Sequence, residues 1–305
     1  MPGLTPDQLD SFVALAFAKA PRPERVTAMR ERMVRDPEWA ARRRYVCDPD
    51  GAMLAVSWLA PTEEGRWILV PPRSREPLDA IGATLVDEAI ALARAEGWPE
   101  VQLRVPVVDC SEALVAACVR TGAEEGPGRV EFEARLDELP TVEPRPRLRF
   151  LPARDRATAA RVLARCAVNS PDALKPGELP AEAIAIMLTR AHRTHELERV
   201  IHLGRRVTDD VPVAFVCAQI DPADGWSTIT MLALDPAVRG LGLGPELHRH
   251  GLAMLRAQGG RLYRGGTTST NLPMRRCFAA NGVPEVMRYR EFTWTRNLRP
   301  PGGSS

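Results

Sequence analysis

Three glycines at alternate positions follow an arginine in Arg239-Gly240-Leu241-Gly242-Leu243-Gly244. The loop comes directly after the apolar run Met231-Leu232-Ala233-Leu234 and the turn Asp235-Pro236-Ala237-Val238. Residues in this order suit one chemistry, the holding of a polyanion at a helix start. First-turn amides lack partners inside the helix, and the dipole end there is positive. Glycine lets the backbone approach a phosphate closely and adopt left-handed dihedrals. No Gly-Lys-Ser/Thr follows, so this is not a Walker loop. The third glycine comes too soon for the usual dinucleotide fingerprint, and no early strand–helix–strand unit surrounds it.

Other chemistry-bearing residues are dispersed. Six cysteines lie at 47, 110, 118, 166, 217 and 277 without a CxxC pair, which suits buried thiols in a reducing compartment. Five histidines show no zinc spacing, so no metal is expected. Two lysines, Lys19 and Lys175, against abundant arginine suggest a GC-rich bacterial genome.

The loop needs a strand before it and a helix after it, and the surrounding pattern supplies both. Ser227–Leu234 reads as a strand and Gly244–Gln258 as an amphipathic helix. Around them, strands are expected at Arg147–Leu151, Arg199–Leu203, Val211–Ile220, Arg261–Gly265 and Arg288–Thr295. Helices are expected at Arg156–Val168, Ala181–His195 and Leu272–Ala280. The first half has a similar order. Helices are expected at Thr5–Ala20, Pro23–Arg35, Leu78–Glu96 and Ser111–Thr121. Strands are expected at Arg43–Cys47, Ala52–Leu59, Trp67–Val70, Val101–Val105 and Arg129–Leu136.

Between the halves lies the proline-rich stretch Asp137-Glu138-Leu139-Pro140-Thr141-Val142-Glu143-Pro144-Arg145-Pro146. It reads as a linker. The expected domains are 1–138 and 147–298, with a linker at 139–146 and a disordered tail at 299–305. Arg94-Ala95-Glu96-Gly97 matches Arg256-Ala257-Gln258-Gly259, and the same offset lays Gly82 on Gly244. Further on, Ser111 falls on Asn271, and Cys118-Val119-Arg120-Thr121-Gly122 on Phe278-Ala279-Ala280-Asn281-Gly282. This is the pattern of one duplicated domain. At the loop itself the copies differ: Pro77-Leu78-Asp79-Ala80-Ile81-Gly82 lacks the arginine and two glycines.

The loop and its preceding strand resemble motif A of the GNAT superfamily of acyl-CoA-dependent N-acyltransferases. The segment Thr268 to Gly282, with Asn271 and Gly282, resembles that family's motif B. The resemblance implies an α/β fold with a mixed sheet of the α+β type. It implies two tandem GNAT-like domains, the N-terminal one degenerate, in an arrangement of the mycothiol synthase type. It implies that acetyl-CoA serves as co-substrate and that Leu232, Leu234, Val238, Arg239, Gly240, Leu241, Gly242, Leu243, Gly244 and Asn271 contact it. A bulge in the strand before the loop would open the acyl-thioester slot, and a main-chain N–H near Leu232 to Leu234 would polarise the thioester carbonyl.

The proton transfers have no clear owner. Where family members carry a glutamate base, this chain has Met231, with only Thr228 and Thr230 nearby to orient a water. Where they carry a tyrosine acid it has Phe278. Tyr263 and Tyr289 are candidate replacement acids, with Cys277 a weaker one. Glu182, Glu178 and His202 are candidate bases. Asn169, Ser170 and Asp172, in the segment Asn169–Pro180, could contact a polar acceptor.

The net charge of +2 gives no basic field for nucleic acid. Apolar runs fall short of the roughly 20 residues of a membrane span, and no signal-peptide pattern opens the chain. The expected protein is cytoplasmic, with a small-molecule amine as acceptor. Two alternatives remain open: an acyl-CoA-binding or regulatory module without turnover, and a nucleotide-binding protein, which the loop's grammar disfavours.

Overall fold

The structure is a computed structural model. It describes residues 5–16, 23–36, 41–50, 52–61, 67–74, 79–140, 146–169, 180–190, 197–220 and 226–295. Residues 141–145 of the expected linker, the 299–305 tail, Pro77, Leu78, Ser170, Asp172 and Glu178 lie outside the described residues.

The first elements are α1 (Pro6–Ala16), α2 (Pro23–Arg35), β1 (Arg43–Cys47), β2 (Met53–Pro61) and β3 (Trp67–Ser74). They are followed by α3 (Ala80–Ala95), β4 (Glu100–Pro106), α4 (Glu112–Arg120) and β5 (Glu124–Glu125). Next come β6 (Arg129–Arg135), β7 (Leu148–Pro152), α5 (Arg156–Ala167), α6 (Pro180–Arg190) and the single turn α7 (Leu197–Val200). The chain continues through β8 (Ile201–Arg206), β9 (Pro212–Ile220) and β10 (Trp226–Leu234). It ends with α8 (Gly244–Ala257), β11 (Leu262–Thr268), α9 (Leu272–Ala280) and β12 (Glu285–Thr295).

The chain forms two compact units, Met1–Gly128 with Tyr289–Ser305, and Arg129–Arg288. This division differs from the one expected at 139–146, because each unit ends its sheet with a strand from the other half of the sequence. In the second unit, β6 pairs antiparallel with β11 from Thr268↔Arg129 to Leu262↔Arg135. In the first, the end of β12 pairs antiparallel with β4 from Tyr289↔Pro106 to Thr295↔Glu100.

The first unit orders its strands β1-β2-β3-β4-β12. Its core gathers Leu59, Leu69, Val86, Ile90, Leu103, Leu114, Phe292 and Trp294. Strand β3 runs to Ser74, through Pro71 and Pro72, where a shorter strand was expected. The prolines lie beyond Leu69↔Leu103, the last pair with β4, and beside the β2 bulge between Val56 and Trp58. Prolines are tolerated where no ladder bond is required of them.

The second unit orders its strands β6-β11-β10-β9-β8-β7. On one face α5 and α6 pack Ala159, Leu163, Cys166 and Ile184 against Phe215, Cys217 and Ala233. On the other, α8 and α9 pack Leu247, Leu252, Leu255 and Phe278 against Ala214, Val216 and Ala218. Strand β9 is buried on both faces, which explains its unbroken apolar run from Val213 to Ala218. The expected strand at Arg199 begins two residues later, because Leu197–Val200 forms a helical turn that buries Val200.

The internal repeat is structural as well as sequential. Gly97 and Gly259, both left-handed, are 162 residues apart, as are the first residues of β4 and β11, Glu100 and Leu262. The first residues of α4 and α9, Glu112 and Leu272, are 160 apart, as are the left-handed Gly122 and Gly282.

Candidate functional site

Strand β10 carries a bulge. Its register against β9 shifts between Ile229 and Met231, and the Thr230 hydroxyl donates to the Cys217 carbonyl at 3.4 Å. Against β11 it pairs in parallel only at Trp226↔Leu262 and Ser227↔Tyr263. From Thr228 to Leu234 the edge of β10 has no ladder pairing to β11, so the strands part toward the loop. Leu232 and Leu234 lie on this open stretch, half-buried.

The loop is buried at both ends and exposed in the middle. Val238 and Leu243 are buried in the core, whereas Leu241 is 60% exposed. Gly240 and Gly242 take φ of 78° and 75°, the left-handed geometry that glycine accepts at least cost. Among the described residues, nothing accepts from the amides of Gly240, Gly242, Leu243 or Gly244. Helix α8 begins at Gly244 with no side-chain cap. Unpaired amides at a positive helix end form an anion cradle. Of the expected contacts, Val238 and Leu243 have their side chains in the core, so what they offer a ligand is backbone.

Arg239 departs from expectation. Its guanidinium donates to the carbonyls of Leu234 (3.0 Å), Cys166 (2.8 Å), Val168 (2.7 Å) and Asn169 (3.2 Å). Three of these belong to the C-terminal end of α5, where the helix dipole attracts a cation. The arginine's side chain braces the loop against α5. Asp235 adds a second brace, pairing with Arg165 at 2.6 Å.

Sequence reasoning missed Arg147. Its Nη1 donates to the Leu241 carbonyl at 2.8 Å and its Nη2 to the Gly242 carbonyl at 2.7 Å. The backbone amides of Arg147 and Leu148 donate to Glu246 Oε1 at 2.9 and 2.7 Å. Glu246 sits in the first turn of α8, 2% exposed. No local pattern could have revealed contacts across almost one hundred residues of chain.

Asn271 is the N-cap of α9, and its side chain accepts from the Met274 amide at 3.2 Å. Its side-chain oxygen therefore has a structural duty, with coenzyme contact a separate proposal. Gly282, at φ 72°, sits just past the end of α9.

Behind the helix start lies a buried polar chain. The two N–H groups of the Asn281 side-chain amide are shared among the Pro245 carbonyl (3.0 Å), the Cys277 carbonyl (3.1 Å) and His248 Nδ1 (3.0 Å). Arg249 Nε donates to Asn281 Oδ1 at 3.0 Å, so this amide orientation satisfies both of its ends. His248 Nδ1 is thus an acceptor, which leaves Nε2–H to donate to the Tyr263 hydroxyl at 3.0 Å. Burial lowers His248 to about 3 and raises Tyr263 far above its ordinary range. The corresponding positions in the first unit are Val86, Val101 and Thr121.

Tyr263 is 1% exposed, in the core. Tyr289 belongs to the first unit. Glu182 lies on the exposed first turn of α6. His202 engages His250 Nε2 at 2.8 Å through Nδ1 and the Glu198 carbonyl at 3.1 Å through Nε2, and burial lowers its pKa. Burial pushes the Cys277 thiol up to about 11. Phe278, at the position of the family's tyrosine, stacks on Phe132 at 3.9 Å. Among the described residues no three His, Cys, Asp or Glu side chains form a metal-binding group, and no helix is long and apolar enough to cross a membrane.

Residues 171–283 match the family described as the acetyltransferase (GNAT) family. No curated protein matches the chain. Among solved structures, a GCN5-related N-acetyltransferase from Sphaerobacter thermophilus superposes with a TM-score of 0.64 at 14% identity, over 96% of this chain and 94% of that one. A tandem GNAT protein from the clavulanic acid biosynthesis pathway gives 0.55 at 16% identity, over 95% of this chain and 94% of its own. A GCN5-related glucosamine N-acetyltransferase region of a fungal multi-domain GH3 beta-N-acetylglucosaminidase gives 0.57 at 12% identity, over 94% of this chain and 36% of that one. At these identities the structural likeness speaks for the fold, and the family match speaks for the half that holds the loop. Residues 171–283 carry the match to the acetyltransferase (GNAT) family, within a chain that has the fold of tandem GNAT proteins.

Proposed function

We propose that the chain is an N-acyltransferase that moves an acyl group, acetyl in the simplest case, from acyl-CoA to an amine of a small-molecule acceptor. The observation that carries this reading is the set of amides at Gly240, Gly242, Leu243 and Gly244, which have no acceptor among the described residues, at the mouth of the gap between β10 and β11. The amides suit a pyrophosphate, and the open edge of β10 suits an extended thioester arm. The first unit lacks two of the loop's three glycines and its arginine, so one acyl-CoA per chain is expected.

Acyl transfer requires a neutral amine, a polarised carbonyl and a protonated leaving thiol. Main-chain N–H groups on the open stretch of β10 can serve the second need. For the first and third, the candidate side chain that lies at the loop is Cys277, against Gly244, with its thiol pushed up to about 11 by burial. Proximity then carries most of the rate, with the amine arriving neutral. A chain that binds acyl-CoA without turnover is the second reading, favoured by Met231 and Phe278.

The test is direct. Purified protein is titrated with acetyl-CoA by calorimetry, then incubated with acetyl-CoA and an amine library while free thiol is followed. Thiol release with one or more amines supports the transferase. Saturable binding with no release from any amine supports the binding module. Absence of binding defeats both.

A further inference from the structure

The loop's amides can cradle an anion only if their peptide planes are turned the right way, and one side chain fixes two of those planes. A peptide unit is planar and trans, so the carbonyl of one residue and the amide of the next point in opposite directions. Arg147 holds the carbonyls of Leu241 and Gly242 with the two arms of one guanidinium, at 2.8 and 2.7 Å. The amides of Gly242 and Leu243 must then point away from Arg147. Both are among the amides for which no acceptor exists among the described residues. The left-handed φ of Gly240 and Gly242 is what lets successive carbonyls turn toward the same fork.

The fork is itself anchored. Glu246 Oε1 accepts from the amides of Arg147 and Leu148, and Oε2 lies 3.6 Å from Arg147 Nε. That carboxylate stands on the helix the loop feeds into. Helix, carboxylate, strand, guanidinium and loop therefore form a closed ring that holds the helix start and the loop in one register. The arginine of the glycine motif takes no part in it, because Arg239 is committed to α5.

We propose that Arg147 is a positioning residue for the coenzyme-binding amides, acting through the Leu241 and Gly242 carbonyls. This rests on the acyl-CoA reading above. A lysine would keep the charge but could not span two carbonyls with a rigid planar fork. Arg147→Lys therefore separates geometry from charge, and Arg147→Ala removes both. The side chain is 54% exposed, so neither variant empties the core.

The experiment uses the full chain and two readouts. Amide hydrogen exchange of the segment spanning residues 239–246 is measured without ligand, and the Kd for coenzyme A is measured by calorimetry. Both variants are expected to exchange faster in this segment than the parent, and to bind coenzyme A about tenfold more weakly. Parent-like exchange and affinity in Arg147→Lys would overturn the proposal, leaving the arginine with charge alone. A parent that binds no coenzyme A would defeat the acyl-CoA reading, while the exchange rates would still decide whether Arg147 sets the loop.

Discussion

The Tyr263 hydroxyl lies 3.0 Å from Nε2 of His248, both side chains enclosed between β11 and the first turns of α8. Asn281 holds the other ring nitrogen of His248, and Phe132, Phe278 and Leu247 lie in the same core. The first unit builds the same fold with Val86 and Val101 at these positions, so the pair is not demanded by the architecture. His248→Leu and Tyr263→Phe should each cost about 1–3 kcal/mol by stranding a buried polar group. The double variant should cost less than the sum, because both orphans vanish together. Urea denaturation of the four proteins checks this, and simple additivity would count against it.

The buried histidines make stability depend on pH. Burial holds His248 and His250 neutral in the folded chain, each lowered from 6.5 to about 3. The unfolded chain takes up these protons as pH falls below about 6.5, and the folded chain does not. Stability is therefore lost as pH drops from about 6.5 toward 3, by about 1.4 kcal/mol per pH unit for each histidine. Denaturation midpoints between pH 7.5 and 5 should show this slope, and His248→Leu should reduce it by one histidine's share.

Arg239 should behave as a structural residue. Its guanidinium satisfies carbonyls at the end of α5 as well as Leu234. Arg239→Ala should lower unfolding stability by about 2–3 kcal/mol, the loss expected for charge-assisted hydrogen bonds. A loss of coenzyme affinity with unchanged stability would instead place this side chain on the ligand.

Gly244 is required by contact and not by dihedral. A Cβ there would come within 2.7 Å of Cys277 Sγ, so α8 and α9 approach through this glycine. Gly244→Ala should destabilise by about 1–3 kcal/mol through overpacking. Adding Cys277→Ala should recover part of that loss. Thermal unfolding of both variants tests the pair.

The glycine loop was legible because left-handed backbone leaves a mark on residue type, as at Gly240 and Gly242. The alternation in Arg129–Arg135 likewise announced a strand. Neither kind of signal names a partner. Alternation says which side chains face inward, and nothing about which strand lies alongside, so the exchange of β6 and β12 was invisible. Arg147 was hidden for the same reason: its role depends on Glu246 and Gly242, far along the chain. Arg239 was visible as a motif residue, but its true acceptors are backbone carbonyls of α5, which leave no trace in composition.

The exchanged strands set a rule for synthesis and for cutting. A nascent chain that has emerged only as far as Gly128 has every strand of its first sheet except the one beside β4, which arrives with Tyr289–Thr295. That edge of β4 stays bare through translation of the whole second unit, a template for unwanted pairing until the final residues appear. Severing the gene at the proline-rich stretch would be no remedy. A fragment starting at Arg147 would lose β6, the ladder partner of β11, and would retain the segment of β12 that completes the other unit. Neither half of the sequence is a portable module.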